Sequence, residues 1–221
     1  MQKKTSVKTA KGRKISSTHW LLRHINDPFV QRAKEEGYIS RAAFKLLEID
    51  EKFKIIKNSI KKGRAFLDLG AAPGSWLQVL IAKTINDSVK IFGLDLQDIT
   101  YSHDRITTLI GDFTDPLLLE RLKQNSINES ISLIVSDMAP NACGDKKTDH
   151  IRIMTLANEV LDFIEQSLVV KGNALIKVLQ GALSQELNKR AKNMFSEVHW
   201  YKPKASYADS TELYLVLLQK K

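Results

Sequence analysis

The sequence predicts an α/β fold in which a largely parallel sheet carries helices on both faces. Three observations predict it. From residue 65 onward, short β-type apolar runs alternate with helical patterns, the signature of strands joined by helical crossovers. The first of these runs ends in a glycine-punctuated turn, "FLDLGAAPGSW" (66–76). The last two runs are joined by a short connector centred on Pro203, which suits an antiparallel neighbour better than a crossover.

Residues 1–17 are rich in Lys, Ser and Thr and are expected to form a flexible basic arm. "STHWLLRHINDPFVQRAKEEG" predicts one or two short helices, interrupted at Pro28 and ended by Gly37. In "SRAAFKLLEIDEKF", Ser40 can cap a helix whose apolar stripe is Ala43, Phe44, Leu47 and Ile49. The strands are "AFLDL", "VKIFGLDL", "ITTLI", "ISLIVSD", "NALIKVL", "SEVHWYK" and "ELYLVLL". Between them lie helical patterns in "SWLQVLIAKTI", "DPLLLERLKQ", residues 149–168 and "ALSQELNKRAKNMF". The expected organisation is a basic arm (1–17), a helical extension packed on the core (18–64) and an α/β domain (65–221).

A chain of 221 residues with 43% apolar and 27% charged residues suits one globular domain with a full core. It has no apolar run approaching the ~18 residues of a membrane span, and its start lacks a secretory apolar region. One cysteine excludes an intrachain disulfide and a Cys-rich metal site, and the five histidines show no ligand spacing. No metal is expected, and a reducing, cytoplasmic location is the simplest reading. The net charge of +9 is unevenly spread: residues 1–64 hold 17 Lys/Arg against 6 Asp/Glu, while residues 65–221 hold 17 against 19. Such asymmetry points to a polyanionic partner, most often nucleic acid. A solubilising tail and a transit peptide are the alternatives, the latter weakened by its poor apolar pattern.

The turn after the first strand carries Asp68, Gly70, Pro73 and Gly74. Ligands of doubly wound sheets bind outside the carboxyl ends of the strands, near this first turn. A dinucleotide fingerprint needs Gly-x-Gly-x-x-Gly. Here the spacing is Gly-x-x-x-Gly with Pro73 inside, which disfavours a pyrophosphate cradle and with it an NAD-dependent oxidoreductase. Asp95 ends the next strand, where a carboxylate can accept two ribose hydroxyls. Asp112, in "LIGDF", ends a third, where it can meet an exocyclic amine. Carboxylates at successive strand ends plus the glycine turn point to an adenosyl ligand without phosphate, S-adenosylmethionine.

Three classes of methyl acceptor leave different marks. Methylation at a base carbon needs an activated cysteine, and Cys143 has only Lys146 and Lys147 as basic sequence neighbours. Methylation of an exocyclic amine commonly uses an (Asp/Asn)-Pro-Pro-aromatic turn, whereas this strand end reads Asp137-Met138-Ala139-Pro140. A ribose hydroxyl needs its proton removed or polarised. Lys177, in the apolar strand "NALIKVLQG", is the candidate. Burial favours its neutral form and nearby carboxylates oppose it, so it is either a base or a charged residue that orients the hydroxyl.

The segments "SRAAFKLLEI", "DLGAAPGSW", "SDMAPNACG", "ALIKVLQG" and "STELYLV", in this order, resemble the FtsJ-like (RlmE) family of ribosomal RNA 2′-O-ribose methyltransferases. The resemblance runs from about residue 19 to the end. It implies a Rossmann-like class I S-adenosylmethionine-dependent fold with a seven-stranded, mostly parallel sheet whose last strand is antiparallel. It implies a catalytic tetrad at Lys45, Asp137, Lys177 and Glu212, and cofactor contacts at Gly70, Gly74, Trp76, Asp95, Asp112 and Asp137. The implied substrate is a uridine ribose of large-subunit rRNA in the assembled 50S subunit, and the enzyme is expected to be a monomer. Two positions depart from the family pattern: Ser75 replaces a common second glycine, and Thr211 stands where many relatives have arginine. Another RNA, such as tRNA, and an assembly factor acting mainly by binding are the alternatives.

Overall fold

The computed structural model describes residues 15–85, 88–125, 130–140, 143–180 and 184–221. The strands are β1 Ala65–Leu69, β2 Lys90–Asp95, β3 Ile106–Ile110, β4 Ile131–Ser136, β5 Asn173–Leu179, β6 Phe195–Tyr201 and β7 Glu212–Lys220. They form one sheet in the order β3-β2-β1-β4-β5-β7-β6. The pairings β1–β2, β1–β4, β2–β3 and β4–β5 are parallel, whereas β7 runs antiparallel to both β5 and β6. The short connector thus does what its length requires, and the last strand is the reversed one.

The helices are α1 Ile15–Ile25, α2 Pro28–Glu35, α3 Ala42–Phe53, α4 Ile55–Ile60, α5 Ser75–Lys83, α6 Pro116–Asn125, α7 Lys146–Ser167 and α8 Ser184–Met194. Helix α1 begins three residues inside the expected basic arm; residues 1–14 of that arm lie outside the described residues. Pro28 opens α2 rather than breaking a helix, because a missing N–H costs nothing in a first turn, and Asp27 caps it by accepting from Phe29 N at 2.8 Å. Ser40 is not the N-cap of α3; Arg41 holds that place. The Ser40 hydroxyl instead accepts from Ala42 N at 3.2 Å and shares a 2.7 Å hydrogen bond with Ser75 of α5. Helix α4 has no counterpart among the sequence-based expectations. It starts after Lys54, which turns the chain in the left-handed region at φ 53°.

The strand period of two sorts the apolar side chains into two cores. Ala65, Leu67, Leu69, Ala174, Ile176 and Val178 pack with α6, α7 and α8. Phe66, Leu133, Val135, Leu175 and Val216 pack with α3, α4 and α5. Lys177 shares the parity of Leu175, so it stands on the α3 face at the carboxyl end of β5. Ala42, Lys45 and Ile49 recur at helical spacing on α3, and Ile49 is fully buried against that same face of the sheet. Two periodicities therefore send two lysines toward one another. Among the described residues, no helix is long and apolar enough to cross a membrane.

Close approach governs the loop before β1. A Cβ on Gly63 would lie 2.2 Å from the main-chain oxygen of Ser130 and 2.9 Å from Ser132 Cβ, which forces a backbone shift. Gly63→Ala is expected to lower stability by about 1–3 kcal/mol, read as a reduced urea midpoint at unchanged m-value.

Candidate active site

Four charged side chains meet at the carboxyl edge of the sheet. Lys45 Nζ lies 2.9 and 3.0 Å from the two Glu212 carboxylate oxygens and 3.6 Å from Asp137 Oδ2. Lys177 Nζ lies 3.2 Å from Asp137 Oδ1, 3.8 Å from Glu212 Oε2, and donates to the Asp137 carbonyl oxygen at 2.8 Å. The side chains are 13–18% exposed, so each charge has lost most of its water. Two ammonium groups and two carboxylates sum to zero, which is what makes such a cluster tolerable. The structure thus brings together Lys45, Asp137, Lys177 and Glu212, four residues spread over 168 positions of sequence.

Two further residues complete the cluster. The Tyr214 hydroxyl donates to Asp137 Oδ1 at 2.5 Å, and the Ser206 hydroxyl donates to Glu212 Oε1 at 2.6 Å. Burial pushes the Asp137 carboxyl up, but Lys177, Lys45 and the Tyr214 hydrogen bond outweigh it and hold the group below its ordinary value. Burial, then the charges of Asp137 and Glu212, push the Tyr214 phenol well up, so it stays a proton donor. Sequence reasoning missed both residues. Tyr214 had a readable signal: it stands two residues after Glu212 on one strand, hence on the same face, and pairs directly with Lys177 across the ladder. Ser206 had none, because a loop position carries no periodicity.

Beside the quartet lies a cleft of about 750 Å3, lined among others by Gly70, Asp95, Asp112, Met138 and Asp137. That volume suits a cofactor-sized ligand. Among the described residues, and apart from the already paired Asp137, its lining carries the carboxyl groups of Asp95, Asp112 and Glu159 against the cation of Arg152, a balance that favours a cationic ligand. Asp95 accepts from the main-chain N–H of Ala72 and of Gln97 at 2.9 and 2.8 Å and keeps lone pairs to spare. Hydrogen bonds from the Thr114 N–H and hydroxyl hold the Asp112 carboxyl below its usual value, which keeps it an acceptor. Gly70 (φ +79°) admits no side chain, since a Cβ there would lie 2.5 Å from Met138 Cγ.

Gly74 and Trp76 do not line the cleft. Gly74 closes the turn at φ +117°, where a Cβ would strike Tyr101 at 2.4 Å. The Trp76 side chain is 3% exposed, donates from Nε1 to the Ala42 carbonyl at 2.8 Å and packs on Tyr214. Its ring ties α3 to α5. Cys143 is exposed, as an incidental loop thiol would be.

Beneath the cleft, Asp68 is 1% exposed and neither carboxylate oxygen has a hydrogen-bond partner among the described residues. Burial, then the charges of Asp137 and Asp95, push this carboxyl well above its ordinary value. An orphaned buried acid in this place fits a site built to receive positive charge.

The family model for FtsJ-like methyltransferases matches residues 38–220. A protein of Wolbachia sp. subsp. Brugia malayi named ribosomal RNA large subunit methyltransferase E is 41% identical over 213 residues, covering 96% of this chain and 93% of that protein. A protein of the same name from Zymomonas mobilis is 41% identical over 210 residues, covering 95% of this chain and 91% of its own length. A crystal structure from Plasmodium falciparum, assigned as a ribosomal RNA methyltransferase, superposes with a TM-score of 0.73 at 31% identity, covering 83% of this chain and 98% of that one.

The Asp68 carboxyl has a calculable sign in stability. Its folded pKa is raised, so the folded state loses stability as pH climbs above the unfolded carboxylate value of about 3.9. The loss levels off once the folded group itself ionises. In ligand-free protein, Asp68→Asn is therefore expected to unfold like the parent near pH 4 and at progressively higher temperature than the parent as pH rises. Melting curves across that range measure the gap.

Proposed function

Because the chain belongs to the FtsJ-like methyltransferase family, we propose that it methylates the 2′-hydroxyl of a uridine ribose in large-subunit rRNA, acting in the cytoplasm on the assembled 50S subunit. S-adenosyl-L-methionine is the methyl donor, and when bound it supplies a methyl group made electrophilic by a sulfonium. One observation carries the reading: Asp137 belongs both to the donor cleft and to the Lys45–Asp137–Lys177–Glu212 quartet. A group in the cleft and a hydroxyl at Lys177 are then neighbours.

The chain's residues divide the work. Asp95 holds ribose hydroxyls of the donor, Asp112 accepts from its exocyclic amine, and Gly70 and Gly74 allow close approach of the main chain. Asp137 fixes Lys177 through two oxygens. Lys177 meets the acceptor hydroxyl, either taking its proton or orienting it, and Lys45 with Glu212 positions the acceptor ribose. Holding oxygen, methyl carbon and sulfur in line supplies most of the rate gain. The basic extension of residues 18–64 and the arm of residues 1–17 bind RNA phosphates, so affinity falls with salt.

Lys177→Ala is expected to cut methyl transfer by about 10²–10⁴-fold while calorimetric binding of S-adenosyl-L-methionine stays near that of the parent; retained activity would refute the mechanism. Labelled cofactor supplied with 50S subunits, protein-free rRNA or tRNA, followed by mapping of the modified ribose, identifies the substrate. Labelling of the subunits at a single uridine is the expected result, and labelling of tRNA alone would replace the reading. Deletion of residues 1–17 is expected to weaken RNA binding without changing cofactor binding, as read by parallel titrations.

A further inference from the structure

The basic extension does not spend its charge on one face. Lys45 belongs to the quartet, and Arg41 donates to the Ala205 carbonyl beside Ser206. Lys52, Lys57, Lys61 and Lys62 instead line a hollow of about 670 Å3 at the opposite, amino edge of the sheet, together with Lys171, Asn173 and Gln219. A second hollow of about 620 Å3 shares Lys61 and Lys62 and adds Arg64. Glu197 is the acid in these two linings, set against six cations. Lys57, Lys61, Lys62, Arg64 and Lys171 are exposed and form no ion pair with a described residue. Along β5, Asn173 of this lining precedes Lys177 by four residues, roughly 13 Å at ~3.3 Å each.

Backbone conformation sets this face apart from an ordinary solvated run of lysines. The described non-glycine residues with positive φ are Lys54 (53°), Lys171 (63°) and Gln219 (58°). Two of them line the larger hollow, and Lys54 sits at the α3–α4 corner beside it. Such conformations cost free energy and cluster where surrounding structure holds them for a purpose. The floor beneath is held rigidly: Asn173 donates to Ser59 Oγ at 2.8 Å and accepts from Gln219 N at 3.0 Å, and Lys171 N donates to the Lys220 carbonyl at 2.7 Å.

We infer that this lysine-lined amino edge is a second RNA-binding surface, which grips the phosphate backbone of an rRNA segment distant from the methylated nucleotide. The inference rests on the reading of the substrate as a large RNA. Concave shape and clustered, unpaired ammonium groups suit a curved polyanion. A folded rRNA domain seated at the quartet is large enough to meet this edge as well.

The test is the full-length triple variant Lys57→Glu, Lys61→Glu, Lys171→Glu, with S-adenosyl-L-methionine titration to confirm a folded donor site. Dissociation constants are measured for 50S subunits, for protein-free large-subunit rRNA and for a short hairpin carrying the mapped target. The expected result is at least tenfold weaker binding to both large ligands and unchanged binding to the hairpin. The log–log salt slope should fall by about 0.7–0.9 for each phosphate that is no longer neutralised. Equal affinity of variant and parent for all three ligands overturns the inference while the parent's methyl transfer leaves the functional reading standing. Weaker binding to subunits but not to protein-free rRNA also overturns it, and assigns the surface to an acidic ribosomal protein. A parent that methylates no large-subunit RNA defeats the functional reading itself.

Discussion

The charge balance of the Lys45–Asp137–Lys177–Glu212 quartet constrains the rest of the molecule. Any one of these groups alone, at 13–18% exposure, would carry a desolvation penalty of several kcal/mol. Together they cancel, provided four elements deliver them to one spot. Asp137 follows β4 and Lys177 lies near the end of β5, so parallel neighbours bring both to the carboxyl edge. Glu212 is the first residue of β7 and pairs with Leu179, the last of β5. A parallel final strand would begin at the opposite edge and leave Lys45 and Lys177 without their second acid. The reversal of β7 is thus a requirement of the site as well as of a short connector.

The fourth element, α3, is not part of the sheet and must be held in place. Trp76 ties it to α5 through the Ala42 carbonyl. Arg41 pairs with Asp27 and donates to the Ala205 carbonyl. Glu48 accepts from the Tyr201 hydroxyl at 2.7 Å and from Lys204 N at 2.8 and 2.9 Å. Burial, and then the bond to Glu48, push the Tyr201 phenol up to about 12. Lys45 and Glu48, three residues apart on one helix, therefore serve the two ends of one task. The first enters the quartet, and the second fixes the β6–β7 loop that brings Ser206 to Glu212.

The two edges of the sheet carry opposite electrostatic characters. The carboxyl edge gathers acids at the cleft and lysines with acids at the quartet, suiting a cationic ligand. The amino edge gathers unbalanced lysines on a strained, hydrogen-bonded floor. Helix α3 spans the two, with Lys45 at one end and Lys52 seven residues on, about 10 Å along the axis. A surplus of positive charge that reads as one basic block in sequence is divided in space by a single helix.

Alternation of apolar runs located every strand, and the glycine turn marked one wall of the cleft, since both signals are local. Lys177 stood out because an ammonium in an apolar strand contradicts its neighbours. The meeting of Lys45 and Glu212 was expected through resemblance alone: a helical lysine and a strand-end acid are ordinary until their partners are known. Trp76 illustrates the reverse. Its place after the turn matches a cofactor contact, yet its ring is spent on holding α3. By itself, the sequence determined where the strands and most of the helices lie, though not α4, because periodicity and turn chemistry act over a few residues. Which charges meet, that Tyr214 and Ser206 complete the quartet, that Asp68 is left without a partner, and how the basic extension splits between two edges were decided by tertiary structure. Coulombic pairing and desolvation depend on distance in space, and chain order does not encode that distance.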